Sequence, residues 1–123
     1  MKRSTRQQEA ILLSLKKYDR PLSIDEIFEY ASKEVDSINL STIYRNLKTL
    51  MIENKVQKVD FPGDNSRYEL YSLGHHHYFH CDDCLKVYRL NACPGRLETL
   101  LPIGFYLRAH SLTLNGTCVD CFK

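Results

Sequence analysis

The sequence lacks the features that would send the chain into or across a membrane. No apolar run reaches the length of about 18 residues that a membrane-spanning helix needs. The start, Met1-Lys2-Arg3-Ser4, has no signal-peptide pattern, and neither repeats nor low-complexity tracts follow it. We therefore expect a cytoplasmic protein, and in a reducing cytoplasm paired cysteines bind metal more often than they form disulfides.

The residue patterns of common hydrolases are also absent. The chain has no Ser-His-Asp order, no phosphate-binding loop and no paired carboxylates, so we do not expect an enzyme. Its net charge is only +2, so the overall charge does not by itself indicate a nucleic-acid partner. With 123 residues, 43% apolar and 26% charged, the chain suits one domain or two very small ones.

Cysteine and histidine are missing from the first 73 residues, whereas five of each follow Gly74. This change in composition predicts a domain boundary at Leu73-Gly74, between residues 1–73 and 74–123. Basic residues are concentrated in the first part, where residues 1–20 hold six Lys or Arg against two acids and residues 41–58 hold four against Glu53. Such excesses could contact phosphates, although charge runs are more often solvated helix faces.

Three amphipathic helices are predicted in the first part. The first runs from Thr5 to about Lys17 and ends before Pro21. Ser23-Ile24-Asp25-Glu26 is a capping box that begins the second helix, because the serine hydroxyl and the Glu26 carboxylate each satisfy a free backbone N–H. Apolar residues of the second helix follow the spacing of one buried face, at Ile24, Ile27, Phe28 and Ala31.

The third helix, capped by Asn39 or Ser41, is rich in residues that contact nucleic acids. Its predicted buried face is Ile43, Leu47 and Leu50, and its other faces carry Thr42, Tyr44, Arg45, Lys48 and Thr49. Two helices that brace a third of this kind form a helix-turn-helix. Strand-like segments at 55–61 and 67–71, joined by Pro62-Gly63-Asp64-Asn65-Ser66, predict a hairpin that could serve as a wing. The alternative is a small helical domain with no nucleic-acid role.

Two Cys-x-x-Cys pairs carry the strongest chemical signal. Cys81 and Cys84 form the first pair, Cys118 and Cys121 form the second, and 33 residues lie between the pairs. Two residues between thiols let a tight turn direct both sulfurs at one ion, and four thiolates form the usual closed, structural zinc site. The alternative is two unrelated redox or disulfide pairs.

The histidines indicate a further metal site. His75 and His77 could point to one side of an extended segment and His76 to the other. His110, on a predicted strand from Phe105 to Asn115 that turns at Asn115-Gly116, could approach the first pair, with Cys93 or Glu98 as a fourth ligand. We expect His80 to be a partly buried polar residue, a strand at Leu85–Leu90 and a short helix at Arg96–Leu101.

In this order and spacing the motifs resemble those of the ferric uptake regulator family, whose members include iron, zinc, manganese and peroxide sensors. The segment Leu40-Ser41-Thr42-Ile43-Tyr44-Arg45-Asn46-Leu47 is similar to the recognition-helix signature of that family. The resemblance implies an α+β fold, with a winged helix-turn-helix DNA-binding domain over residues 1–73 and a small α/β metal-binding dimerisation domain over residues 74–123. It also implies a homodimeric regulator, most simply a repressor of metal-homeostasis genes, that binds double-stranded operator DNA when loaded with metal.

The resemblance implies roles for particular residues. Tyr44 and Arg45 would contact DNA, with Thr42 and Lys48 beside them, and the four paired cysteines would hold a structural Zn²⁺. The family has two ligand sets for the regulatory metal. In the first set, Glu69 and His76 of this chain match the family ligands, but Pro21 and Tyr78 stand where the family usually has histidines. In the second set, His75 and His110 match the family ligands, whereas His77 stands in place of an Asp and Arg96 stands in place of a Glu.

We therefore predict a regulatory site drawn from the following residues: Glu69, His75, His76, His77, Cys93 and His110. Imidazoles suit both Zn²⁺ and Fe²⁺, a thiolate favours zinc, and carboxylates favour iron or Mn²⁺. Since two expected carboxylates are replaced, zinc is favoured over iron.

Other functions compete with this interpretation. The Cys-x-x-Cys pairs, or the regulatory metal, could form a thiol-based redox or peroxide switch, which would need a reactive thiolate at a helix N-terminus. A zinc-stabilised adaptor that binds protein is another alternative, and the third helix argues against it. Cys93-Pro94 could ligate haem, but a single Cys-Pro pair is a weak signal.

Overall fold

The computed structural model describes residues 3–61, 66–72 and 76–122, and the chain divides into two compact units, Met1–Leu73 and Gly74–Lys123. The first unit consists of α1 (Arg3–Tyr18), α2 (Ile24–Glu34), α3 (Leu40–Ile52), β1 (Val56–Val59) and β2 (Arg67–Leu70). The second consists of β3 (His77–Cys81), β4 (Val87–Leu90), a 3₁₀ turn (Leu97–Leu100) and β5 (Thr113–Gly116). The predicted mixed α+β fold is confirmed.

A single apolar core holds the first unit together. It combines residues from all three helices, both strands and the connections before and after α2: Ala10, Ile11, Leu15, Leu22, Ile27, Ala31, Val35, Ile38, Ile43, Leu47, Leu50, Val56 and Tyr68. The predicted stripe of α2 contributes Ile27 and Ala31 to the buried set, while Ile24 and Phe28 are partly buried against it. Burial of this face, rather than helix propensity alone, stabilises these short helices.

The predicted capping box begins α2. The Ser23 hydroxyl accepts from the Glu26 N–H at 3.2 Å, and the Glu26 carboxylate accepts from the Ser23 N–H at 3.0 Å. Burial raises the pKa of Glu26, but the Arg20 guanidinium and the Ser23 bonds outweigh it, so the net pKa lies below 4.5. Because the pKa is lowered in the folded state, the charged Glu26 stabilises the fold at neutral pH, and this contribution is lost as pH falls through the folded-state pKa.

The helix α3 has the predicted buried face. Asn39 caps it, since its side-chain oxygen accepts from the Thr42 N–H at 2.9 Å. Ile43, Leu47 and Leu50 are buried as expected, but Thr42 and Asn46 are buried as well. Thr42 was expected on an outer face, and it lies instead on the side of α3 that α1 covers, where Asn46 bonds to α1 glutamines.

The strands β1 and β2 form the predicted hairpin, paired antiparallel with Val56 opposite Leu70 and Val59 opposite Arg67. Two backbone hydrogen bonds of 2.8 Å join Leu22 to Tyr68, so the connection between α1 and α2 is bound to the hairpin. Residues 62–65 of the predicted turn lie outside the described residues. The described part of the unit therefore has the helix and strand content of a winged helix.

The second unit contains a three-stranded sheet in the order β4-β3-β5, with β3 antiparallel to β4 and parallel to β5. The prediction of a strand from Phe105 to Asn115 is wrong over 105–112, because the pairing of this segment with β3 covers only residues 113–116. Asn115-Gly116 is likewise not a turn but the end of β5. An added Cβ at Gly116 would lie 3.3 Å from the Phe79 ring, so a larger residue there would require the ring to shift.

The predicted helix at Arg96–Leu101 is a 3₁₀ turn at Leu97–Leu100. Gly95 and Arg96 have φ values of 65° and 50°, and Pro102 follows Leu101, so an α-helix has too little room to form. In the parts of the chain that the structure describes, no helix is long and apolar enough to cross a membrane.

We expect Ser23→Ala to lower the free energy of unfolding of the first unit by about 1 kcal/mol, because α2 loses the side-chain acceptor for its first turn. Urea denaturation followed by far-ultraviolet circular dichroism measures this change. Ser32→Ala is the matched control, since the Ser32 hydroxyl is exposed and only donates to Glu29 O in the same helix. Equal losses from both variants would contradict the capping assignment.

Candidate metal centres and nucleic-acid interface

The two cysteine pairs converge on one point in the second unit. Cys81 ends β3 and Cys84 follows in the turn to β4, while Cys118 and Cys121 lie in the turn after β5. The parallel pairing of β3 with β5 places Gly116 beside Cys81 and so brings the pairs together. All four sulfur atoms lie within 4.8 Å of one another.

The spacing of these sulfurs fits one tetrahedral ion. A tetrahedron with metal–sulfur bonds of about 2.3 Å has edges of about 3.8 Å, and Cys84 Sγ lies 3.8 Å from Cys118 Sγ. The four cysteines are free thiols. The donor set is therefore that of a closed structural zinc site, in which the ion would join the β3–β4 turn to the segment after β5.

Backbone amides already support negative charge in this cluster. The N–H groups of Cys84 and Cys118 donate to Cys81 Sγ at 3.5 and 3.4 Å, and these bonds lower the pKa of Cys81 to about 6. The hydrogen bond with Cys118 and burial raise the pKa of Cys121 to about 12. Adjacent thiols resist joint ionisation, so a cation is needed before all four can be thiolates.

The same geometry argues against a redox role for the pairs. A reactive Cys-x-x-Cys thiolate is stabilised by the N-terminus of a following helix. Cys81-Cys84 is followed by a turn and β4, and no α-helix occurs within the described residues after Cys118. The arrangement of the pairs therefore suits metal ligation better than thiol redox chemistry.

A second cluster consists of His77, Cys93 and His110. Cys93 Sγ lies 3.3 Å from Nε2 of His77 and 3.3 Å from Nε2 of His110. The two imidazole rings are stacked with centroids 5.0 Å apart. Two imidazole nitrogens and one thiol sulfur therefore lie close enough to bind one ion. His77 is buried, whereas Cys93 is exposed.

The protonation state of His77 bears on metal binding. Its Nδ1 accepts from the backbone N–H of Leu112 at 3.1 Å, so the neutral ring carries its proton on Nε2, facing Cys93. A metal bound through Nε2 would displace that proton. Cys93 would also lose its thiol proton, so protons and metal compete for this cluster.

Within the described residues, the remaining predicted ligands do not join these clusters. Glu69 is buried in β2 and accepts from Gln57 Nε2 at 2.8 Å, because Gln57 is its partner in the hairpin. Among the described residues, Glu69, His76 and Glu98 belong to no group of three or more ligands. His75 lies outside the described residues. His80 is partly buried, as expected, and its Nδ1 lies 3.8 Å from Asp82 Oδ1.

Three predicted DNA residues lie on the outer face of α3. Tyr44, Arg45 and Lys48 are exposed, and Tyr44 retains 52% of its accessible surface. Thr42 is the exception, since it is buried and its hydroxyl lies 3.4 Å from Arg45 Nη2. An aromatic hydroxyl and two cations on one accessible face can donate hydrogen bonds to phosphates and base edges.

Sequence reasoning undervalued two of the residues that the structure brings into these sites. Cys93 was one of several candidate ligands, and only the structure places it between His77 and His110. Asn46 was not considered for any site, although its position four residues after Thr42 allows a bond to the Thr42 carbonyl, and this bond is 3.0 Å long.

Known proteins are similar to this chain in sequence and in fold. Residues 2–114 match the model of the ferric uptake regulator family. The ferric uptake regulation protein of Campylobacter jejuni is 30% identical over 122 residues, which cover 95% of this chain and 78% of that protein. The peroxide operon regulator of Bacillus subtilis is 26% identical, over 98% of this chain and 85% of that protein.

Among solved structures, a zinc-bound manganese uptake regulator superposes with a TM-score of 0.78 at 25% identity, over 96% of this chain and 92% of that one. The family match covers both the helix-turn-helix and the first cysteine pair. This chain therefore belongs to the ferric uptake regulator family.

Proposed function

We propose that the chain is a metal-responsive transcriptional regulator, not an enzyme, that acts as a cytoplasmic homodimer and represses metal-homeostasis genes when a second metal is bound. The observation that carries this proposal is the His77–Cys93–His110 cluster. A closed four-thiol site suffices to hold a fold together, whereas a separate, partly exposed ligand set in the same unit suits an ion that exchanges. The exposed face of α3 would bind the operator DNA.

The four-cysteine cluster would hold Zn²⁺ permanently. Of the described residues in the second unit, only His77, Cys81, Val87 and Cys118 are buried, so apolar burial contributes little there. Where a core is this small, the free energy of metal binding becomes free energy of folding. Exposed apolar side chains of the unit, among them Leu100, Ile103 and Tyr106, would be covered in a homodimer.

The second cluster would select Zn²⁺ over Fe²⁺ and Mn²⁺. Its donors are one thiolate and two imidazoles, which suit zinc, and it contains none of the carboxylates that the harder ions prefer. Zinc usually takes four ligands, and we propose His75 as the fourth. Glu69 and His76 remain the alternative regulatory pair.

The metal would act by shifting a conformational equilibrium. An ion that binds the DNA-competent conformation a hundredfold more tightly shifts that equilibrium by about 2.7 kcal/mol. Such a shift is large enough to change operator occupancy. The three described ligands all lie in the second unit, so the signal must reach the helix-turn-helix through the rest of the chain or the dimer.

We expect Cys118→Ser to abolish tight zinc binding, unfold the second unit and disrupt the dimer, because the ion joins two distant segments of a unit with little core. Metal content after dialysis, circular dichroism and analytical ultracentrifugation measure the three effects. Cys93→Ser is the control, since it makes the same chemical change outside the four-thiol cluster. A Cys118→Ser protein that keeps both its zinc and its dimer contradicts the assignment.

We expect Arg45→Ala to weaken binding to operator DNA and to reduce the slope of log affinity against log salt by about one if Arg45 contacts a phosphate. If Arg45 contacts a base, the loss should be about 1–3 kcal/mol and specific to the operator. Fluorescence anisotropy at several salt concentrations measures both quantities. Lys33→Ala, which removes a charge from the last turn of α2, is the control. Unchanged binding by Arg45→Ala means that α3 does not read DNA.

We expect Cys93→Ser, His77→Ala and His110→Ala each to abolish metal-dependent operator binding while the structural zinc is retained. Operator binding titrated with Zn²⁺, Fe²⁺ and Mn²⁺ measures the response, and the parent should respond to zinc at the lowest free concentration. Activation should weaken as pH falls, because protons compete with the metal for the same ligand atoms. Glu69→Gln tests the alternative pair: loss of response in this variant alone would place the sensing site there.

A further inference from the structure

A concave polar surface lies between the first half of α1 and the side of α3. It encloses about 600 Å³ and is lined by Gln7, Gln8, Ser37, Asn39, Thr42, Arg45, Asn46 and Thr49. Arg45 is the one charged residue among these eight, and no carboxylate is present to repel phosphate. The surface therefore continues the proposed DNA-binding face from α3 onto α1.

At the centre of this surface, Asn46 joins the two glutamines of α1. Asn46 is only 6% exposed. Its Nδ2 donates to the Thr42 carbonyl at 3.0 Å and to Gln7 Oε1 at 3.2 Å. Its Oδ1 accepts from Gln8 Nε2 at 3.2 Å. Both ends of the buried amide are thus engaged, as a buried polar group requires.

The Thr42 carbonyl sets the direction of every bond in this network. A backbone carbonyl can only accept, so Asn46 must turn its NH₂ group towards Thr42 and its oxygen away. Gln8 must then donate to that oxygen, and Gln7 must accept from the NH₂ group. Consequently the NH₂ group of Gln7 and the carbonyl oxygen of Gln8 are left for a ligand, beside Arg45.

We propose, on the basis of the DNA-binding function proposed above, that Gln7 and Gln8 contact the operator and that Gln8 reads a base. The DNA backbone contains no hydrogen-bond donor, because phosphate and deoxyribose oxygens in a duplex only accept. An acceptor that faces the major groove can therefore be satisfied directly only by the amino group of adenine or cytosine. The Gln7 NH₂ group suits a phosphate oxygen. Such a contact positions the protein on the duplex but does not distinguish one base sequence from another. Asn46 is the positioning residue for both.

The test uses the full-length, zinc-loaded protein and a duplex that it selects from a random-sequence pool, with a scrambled duplex for comparison. The variants are Gln7→Met, Gln8→Met and Asn46→Leu, which keep side-chain size but remove the polar groups, and Arg45→Ala is the reference. Affinities are measured by anisotropy over a range of salt concentrations. Thermal unfolding of each variant confirms that the fold is intact.

We expect Gln8→Met to weaken binding to the selected duplex by about fivefold to tenfold and to leave the scrambled duplex nearly unchanged. Gln7→Met should weaken both duplexes alike and leave the salt slope unaltered, because glutamine is neutral and releases no counterion. Asn46→Leu should combine both losses. Even if that variant is unstable, the two glutamine variants decide the matter.

Equal loss on both duplexes in Gln8→Met would overturn the base-reading role. If neither glutamine variant changes binding while Arg45→Ala does, the inference is wrong and the proposed DNA-binding function stands. If Arg45→Ala also binds unchanged, or no duplex is selected, the proposed function fails and the inference fails with it.

Discussion

The second unit depends on one electrostatic constraint, which is that four converging thiols cannot all ionise without a cation between them. Cys81 and Cys118 occupy buried positions of the kind that apolar side chains fill in other small domains, and the β3–β5 pairing brings their turns together. The cluster therefore has the place of a core in this unit. With the proposed zinc bound, the stability of the unit would be linked to metal supply and to pH, to which an apolar core would be indifferent.

The first unit is stabilised by apolar burial and not by a cluster of thiols. Its core draws buried apolar side chains from α1, α2, α3 and the hairpin, and it contains neither cysteine nor histidine. A helix-turn-helix built on apolar burial can remain folded while metal exchanges elsewhere in the chain. The segregation of cysteine and histidine into residues 75–121 thus separates the element proposed to read DNA from the residues proposed to bind metal.

The two ligand clusters differ in ways that fit different roles. Four sulfurs in a largely buried setting offer a complete tetrahedron, which favours slow exchange. In the His77–Cys93–His110 cluster the only sulfur is exposed, and a proton on His77 Nε2 occupies the position that a metal would take. An ion bound there would compete with protons and remain accessible to solvent, as the proposed sensing role requires. The difference follows from donor type and burial, not from the number of histidines nearby.

Features set by near neighbours in the chain were predictable from the sequence. The Ser23–Glu26 capping box, the Asn39 cap and the Ile43–Leu47–Leu50 face depend on residues within one or two helical turns. The meeting of Cys81, Cys84, Cys118 and Cys121 was also predicted, because four thiols in two tight pairs have few other uses in a reducing compartment. Composition alone separated the part of the chain that contains every cysteine and histidine from the part that contains neither.

Tertiary structure decided the features that depend on strand register and on contacts between distant segments. Cys93 lies 16 residues from His77 and 17 from His110, so no local pattern distinguished it from Glu98 as a ligand. The extent of β5 was set by the length over which β3 could pair with it, which left residues 105–112 outside the sheet. The direction of the Gln7–Asn46–Gln8 network depends on one carbonyl of α3 facing α1. Sequence periodicity shows which face of an element is buried, but only the packed chain determines which groups meet there, because that depends on positions many residues apart.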